Sequence, residues 1–157
     1  MGLCKVLVSS CLLGAPVRYD GGAFACAQTL ARWQQEGRVV ALCPEVAGGL
    51  PTPRPAAEII HSTQQVKTCE GLDVTQAFDD GAECAVKLVR EYGIQMAVLK
   101  ARSPSCGNQE VYDGSFSGQL RAGQGVTAKR LTELGVKVFN EQQLPEALAF
   151  LNTLERR

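Results

Sequence analysis

The stretch Cys4–Gly14, CKVLVSSCLLG, decides the fold. Val6, Leu7 and Val8 form a short apolar run rich in β-branched residues, the pattern of a strand buried on both faces. The strand is expected to end near Ser9, and Cys11 follows just past that end. The same signal returns in RVVALCPE (38–45), through Val39, Val40, Ala41 and Leu42, in QMAVLKA (95–101) and in VKVFN (136–140). Helical patterns lie between these runs. FACAQTLARWQQE (24–36) sets Ala27, Leu30 and Ala31 on one face and stops at Gly37. Asp73 or Thr75 starts a second helix, striped by Ala82, Ala85, Val86 and Val89, that ends at Gly93. GVTAKRLTEL (125–134) stops at Gly135. Asn140, with Gln143 three residues later, resembles a helix cap ahead of the stripe Leu144, Ala147, Leu148, Leu151 and Leu154. Strands alternating with helices predict an α/β fold, because parallel strands need long crossovers. The expected form is an open, mostly parallel sheet of about four to five strands with helices on both faces, a Rossmann-like three-layer arrangement. Residues 46–74 are irregular and proline-punctuated, and read as a long functional loop with a small hairpin. YDGSFSG (112–118) reads as a turn-rich segment.

The chain has 157 residues, 45% of them hydrophobic, and shows no repeat or linker, so residues 1–157 are expected to form a single domain. Sixteen basic and sixteen acidic residues cancel. No global field draws the chain to nucleic acid or to an anionic membrane, and an acidic ligand must be caught locally. The apolar start is too short for a membrane span and lacks a basic leader, which predicts a cytoplasmic protein. No interface pattern assigns an oligomeric state. Seven cysteines, an odd number without a secretory signal, read as reduced thiols rather than as a disulfide framework.

In open parallel sheets, ligands bind beyond the carboxyl ends of the strands, and that rule sorts the cysteines. Cys11, Cys43 and Cys106 follow the first, second and third strands and are expected to converge. Cys4 starts the first strand, roughly 23 Å from Cys11 at about 3.3 Å per residue, on the opposite edge. Cys84 sits in a helix and reads as packing. Cys26, Cys69 and the single histidine, His61, read as incidental loop or helix-end residues. A structural zinc site prefers four protein ligands, often at short local spacing; iron-sulfur clusters take thiolates, and three would leave one iron open as a Lewis acid. Glu45, two residues after Cys43, puts a carboxylate on the rim of the same cavity, where it can act as a general base or pair with an arginine. Ser103 and Ser105 can orient a substrate heteroatom or form the turn. Glycines including Gly21, Gly22 and Gly49 would let backbone approach a ligand. Lys100 and Arg102, with Arg18 and Arg54, could meet a phosphate.

Taken together, VSSCLLG, VRYDGG, LCPEVAGGLPTPR, RSPSCG, YDGSFSG and GQGVTAKRLTELG resemble the thiouracil desulfidases, a family of short bacterial iron-sulfur proteins. The resemblance runs from about residue 4 to residue 140. It implies that Cys11, Cys43 and Cys106 hold a 4Fe-4S cluster whose fourth iron takes the sulfur of a thiocarbonyl. It further implies that Glu45 activates water and that a serine, more so Ser103 than Ser105, assists protonation or orientation. The substrate would be a thiolated pyrimidine base or nucleotide, with the uracil form and sulfide as products and no net electron transfer. Asp20 of VRYDGG joins Arg18, Gly21, Gly22, Gly49, Lys100 and Arg102 as a substrate-binding candidate. Two other classes fit three thiols at one sheet edge: an iron-sulfur redox sensor or electron carrier, and a zinc-binding nucleotide-binding module.

Overall fold

The structure, a computed structural model, describes residues 3–15, 19–20 and 27–156. In chain order its elements are β1 (Val6–Ser9), α1 (Gln28–Gln35), β2 (Val39–Leu42), the single turn α2 (Pro44–Ala47), β3 (Ala57–Ile60) and β4 (Gln65–Thr68). Then follow α3 (Thr75–Tyr92), β5 (Met96–Leu99), β6 (Glu110–Tyr112), β7 (Leu120–Ala122), α4 (Val126–Glu133), β8 (Lys137–Asn140) and α5 (Leu144–Glu155). The four apolar runs make one parallel sheet in the order β2-β1-β5-β8. Val8 pairs with Ala41 on one side and with Val98 on the other, and Val98 pairs in turn with Phe139.

The period of two along each strand divides the core. Val6, Val8, Met96, Val98 and Phe139 pack with Leu30, Trp33, Ala147 and Leu151 beneath α1 and α5. Leu7, Ala97 and Leu99 pack with Ala85, Val86, Val89, Ala128 and Leu131 beneath α3 and α4. The result is the three-layer α/β arrangement, with helices on both faces. Each fully buried aliphatic side chain contributes about 1.5–3 kcal/mol relative to exposure. From β1 the chain moves outward to β2 and then returns to the other side for β5 and β8. The order therefore reverses between β1 and β5, and the crevice at their carboxyl ends is where a ligand site is expected.

Two boundaries differ from the sequence reading. Asn140 still belongs to β8, paired with Leu99, so α5 starts only at Leu144, with a proline in its first turn. The Gln143 side chain nevertheless reaches back to accept the Asn140 N–H at 3.0 Å, the second half of a capping box. α1 begins at Gln28, after an extended Ala27, and residues 24–26 of the expected helix lie outside the described residues. The irregular segment carries the β3–β4 hairpin, which packs on α3 through Val66, Val74 and Phe78. YDGSFSG closes a second hairpin, β6–β7. Among the described residues no helix is long and apolar enough to cross a membrane.

Candidate active site

β1 runs straight into a 3-10 turn, Ser10–Leu13, which carries Cys11 and ends at the left-handed Gly14. Cys43 is the first residue past β2, and Pro44 at the start of α2 fixes the chain there. Cys106 sits in the loop after β5. All three thiols line one cavity of about 740 Å³ at the carboxyl end of the sheet, against the reversal between β1 and β5. That volume lies within the ordinary range of small-molecule sites, about 300–1,000 Å³. Glu45, Ser103, Lys100, Arg102 and Arg54 line the same cavity.

The loop bearing Cys106 is held from inside. Ser103 Oγ accepts the backbone N–H groups of Ser105 and Cys106, each at 3.0 Å, and the Ser103 carbonyl accepts that of Gly107 at 2.9 Å. The carbonyls of Pro104 and Ser105 accept the N–H groups of Val126, Thr127 and Ala128 at 2.8–3.1 Å, so the loop satisfies the open amino end of α4. Across the crevice, Ser9 at the end of β1 accepts the Lys100 N–H at 3.0 Å and donates its hydroxyl to Cys106 Sγ at 3.5 Å. Glu45, in the first turn of α2, pairs with Arg54 Nε at 3.1 Å. Arg54 is nearly buried and also donates to the Pro51 carbonyl and to Thr52 Oγ1, both at 3.1 Å. α2 itself lies backbone to backbone on α3. A Cβ at Gly48 would come within 1.9 Å of the Ala77 carbonyl oxygen, and one at Gly81 within 1.9 Å of that of Pro44.

Cys106 is wholly buried, and its thiol is pushed up to about 12, first by loss of solvent and further by the negative charge of Glu45, Cys11 and Cys43; only the Ser9 hydroxyl bond opposes this. Three thiols and a carboxylate lie within electrostatic reach of one another, with no histidine among the described residues of the cavity wall, and form a sulfur-rich, electron-rich donor set. Such a set suits soft, positively charged iron, which removes the thiol protons on binding. Among the described residues no three His, Cys, Asp or Glu side chains gather closely enough to hold a single metal ion.

Not every expected residue reaches the cavity. Ser105 is fully buried, its hydroxyl 2.8 Å from Thr127 Oγ1, and it is a strut between loop and helix rather than a group facing substrate. Gly49 is exposed and serves the left-handed turn after α2. Asp20 is exposed and is not in the cavity wall. Arg18, Gly21, Gly22 and Cys26 lie outside the described residues. His61 is exposed in the β3–β4 turn. The cations of the wall carry carboxylate partners: Arg54 has Glu45, Lys100 has Glu141 at 2.8 Å, and Arg102 has Glu110 at 3.1 Å. Cys69, read as incidental, does line the cavity. Ser9, Glu58, Tyr112 and Phe116 are not marked out by the sequence as site residues and line it too. For Ser9 a signal exists, because it is the last residue of the strand at which the sheet order reverses.

Known proteins match this arrangement. The chain is 38% identical over 151 residues to an uncharacterized protein, YbbK, of Bacillus subtilis, covering 91% of this chain and 99% of that one. A solved structure, the 4Fe-4S-dependent thiouracil desulfidase TudS, superposes with a TM-score of 0.89 at 52% identity, covering 94% of this chain and 97% of that one. Residues 6–143, a span holding all three strand-end cysteines together with Glu45 and Ser103, match the family described as 2-thiouracil desulfurase, and the chain belongs to that family.

Proposed function

We propose that this protein is a 4Fe-4S-dependent desulfidase that hydrolyses the C–S bond of a thiolated pyrimidine, taking up one water and releasing the uracil form and hydrogen sulfide, without net electron transfer. The observation that carries this reading is the meeting of three strand-end thiols with an arginine-held carboxylate on the wall of one ligand-sized cavity. Cys11, Cys43 and Cys106 would hold the cluster. When bound, it supplies an electrophilic iron to which a thiocarbonyl sulfur binds, making that sulfur a better leaving group. Glu45 takes the proton from the attacking water, a contribution of about 10² to 10⁴ in rate. Arg54 fixes which carboxylate oxygen stays free for that task, because its Nε occupies Oε1. Both lone pairs of Ser103 Oγ are engaged by backbone amides, so its proton is what remains to offer, and Ser103 acts towards substrate as a donor.

The substrate is a thiolated base, nucleoside or nucleotide. Of the lining cations, Arg102 exchanges its partner for a phosphate at least cost, since it and Glu110 are both nearly half exposed, at 47% and 42%, and such a pair is worth about 0–1 kcal/mol. Arg102→Ala is expected to raise KM for a thiolated uridine monophosphate several-fold while leaving KM for the free base unchanged.

Anaerobically reconstituted protein is expected to bind about four irons with acid-labile sulfide and to release sulfide from a thiouracil. Glu45→Gln should retain the iron and lose turnover by about 10² or more. A Cys11→Ala protein that kept both its cluster and its activity would overturn the assignment.

A further inference from the structure

The β6–β7 hairpin places an exposed aromatic residue in the cavity wall. Phe116, within the YDGSFSG motif, lines the cavity wall, is 39% exposed, and has a backbone φ of 57°. An aromatic residue in the left-handed region is strained, and such strain persists only where neighbours enforce it. The neighbour is Glu58 on β3, more than fifty residues away in sequence, whose Oε1 accepts the N–H groups of Gly114 at 3.0 Å and Phe116 at 3.1 Å. Gly114 has φ 93°, and a Cβ there would meet the Ile59 carbonyl oxygen at 2.6 Å, so the loop is pressed onto β3 at that point as well. Tyr112, at the end of β6, lines the same wall. One half-buried carboxylate thus clamps a loop in a costly conformation, and the residue held there is an exposed aromatic in the wall of a ligand-sized space.

We propose that Phe116 is a specificity-determining residue whose ring stacks on the pyrimidine ring of the substrate, and that Glu58 is the positioning residue that holds it there; this rests on the desulfidase reading. Stacking selects a flat, unsaturated heterocycle over an open-chain thioamide of similar polarity. It acts equally on bound substrate and transition state, so its loss raises KM and leaves kcat nearly unchanged.

The test combines steady-state sulfide release from a thiouracil with calorimetric binding of uracil to the reconstituted holoenzyme. Phe116→Ala and Phe116→Leu should each raise KM and weaken uracil binding about 5- to 100-fold, the range for one base on one aromatic ring, with kcat within about twofold. Phe116→Tyr should retain both constants. Glu58→Ala should reproduce the Phe116→Ala effect, and the double variant should be no worse than either single one. Glu58→Gln should restore affinity, since its amide oxygen accepts the same two N–H groups. An active wild type whose Phe116→Leu variant keeps wild-type KM and uracil affinity overturns the stacking proposal alone. A reconstituted wild type that releases no sulfide overturns the desulfidase reading, and the stacking proposal with it.

Discussion

Ser103 and Ser105 stand two residues apart in one motif and do different things. The first lines the cavity and accepts two backbone amides; the second is buried against Thr127. Ser103→Ala strands the Ser105 and Cys106 amides, and two lost bonds of this kind cost about 1–3 kcal/mol. Urea unfolding of the cluster-free variant is expected to show that loss, and the reconstituted enzyme a large fall in turnover. Ser103→Thr, which retains the acceptor, should recover most of both. Ser105→Ala is expected to lower stability by about 1 kcal/mol and spare turnover. That two serines closely precede Cys106 was legible in the sequence. The residue pattern alone does not say which of them lines the cavity, although the family resemblance favours Ser103, because a loop residue's direction depends on its hydrogen-bond partners, here the amino end of α4. The same reasoning covers Glu45: of the two alternatives, the arginine partner is what the structure displays, and the pairing with Arg54 through one oxygen is compatible with the base role proposed for the other.

The element that carries Cys43 and Glu45 to the site is a single turn, and a helix of one turn has no stability of its own. α2 stays in place because Gly48 lets it approach Ala77 and Gly81 lets α3 approach Pro44. Gly81→Ala should therefore be costly even though alanine is the better helix former. The new Cβ would sit 1.9 Å from the Pro44 carbonyl oxygen, and backbone must move. We expect a loss of about 1–3 kcal/mol in denaturant unfolding. A disproportionate fall in turnover should accompany it, because the displaced turn carries Cys43 and Glu45, the thiol and the base of the proposed function. The same helix supplies the control: Gly93→Ala, at its left-handed end with nothing within 4 Å, should cost stability through its φ of 64° and spare turnover. The strands and main helices were legible because their apolar periods are strong. The α2–α3 contact was not: a glycine inside a helical stripe signals close packing without naming its partner, and the partner lies in a different element far upstream.

The molecule is organised as two ends of one sheet. The carboxyl end is irregular and holds the thiols, whereas the amino end is tied by Arg38, which pairs with Glu36 at 2.6 Å and with Glu155 of α5 at 2.8 Å and donates to the Cys4 carbonyl at 3.5 Å. Cys4 thus lies at the end opposite Cys11, as the length of β1 requires. Arg38 holds the Glu155 carboxyl below its ordinary range. A carboxyl whose folded value is depressed adds stability that is complete above its unfolded value and is lost as pH falls through the folded one. Glu155→Gln should therefore lower stability by about 0.5 kcal/mol at neutral pH, the scale of a partly exposed ion pair, because Glu36 still holds Arg38. The gap between variant and wild type should close on acidification below about pH 4. Urea midpoints at about pH 7 and about pH 3 measure both quantities. Turnover at neutral pH should not change, since no part of this ion-pair cluster touches the cavity wall, and a Glu155→Gln enzyme with altered KM for a thiouracil would show that the two ends of the sheet are coupled.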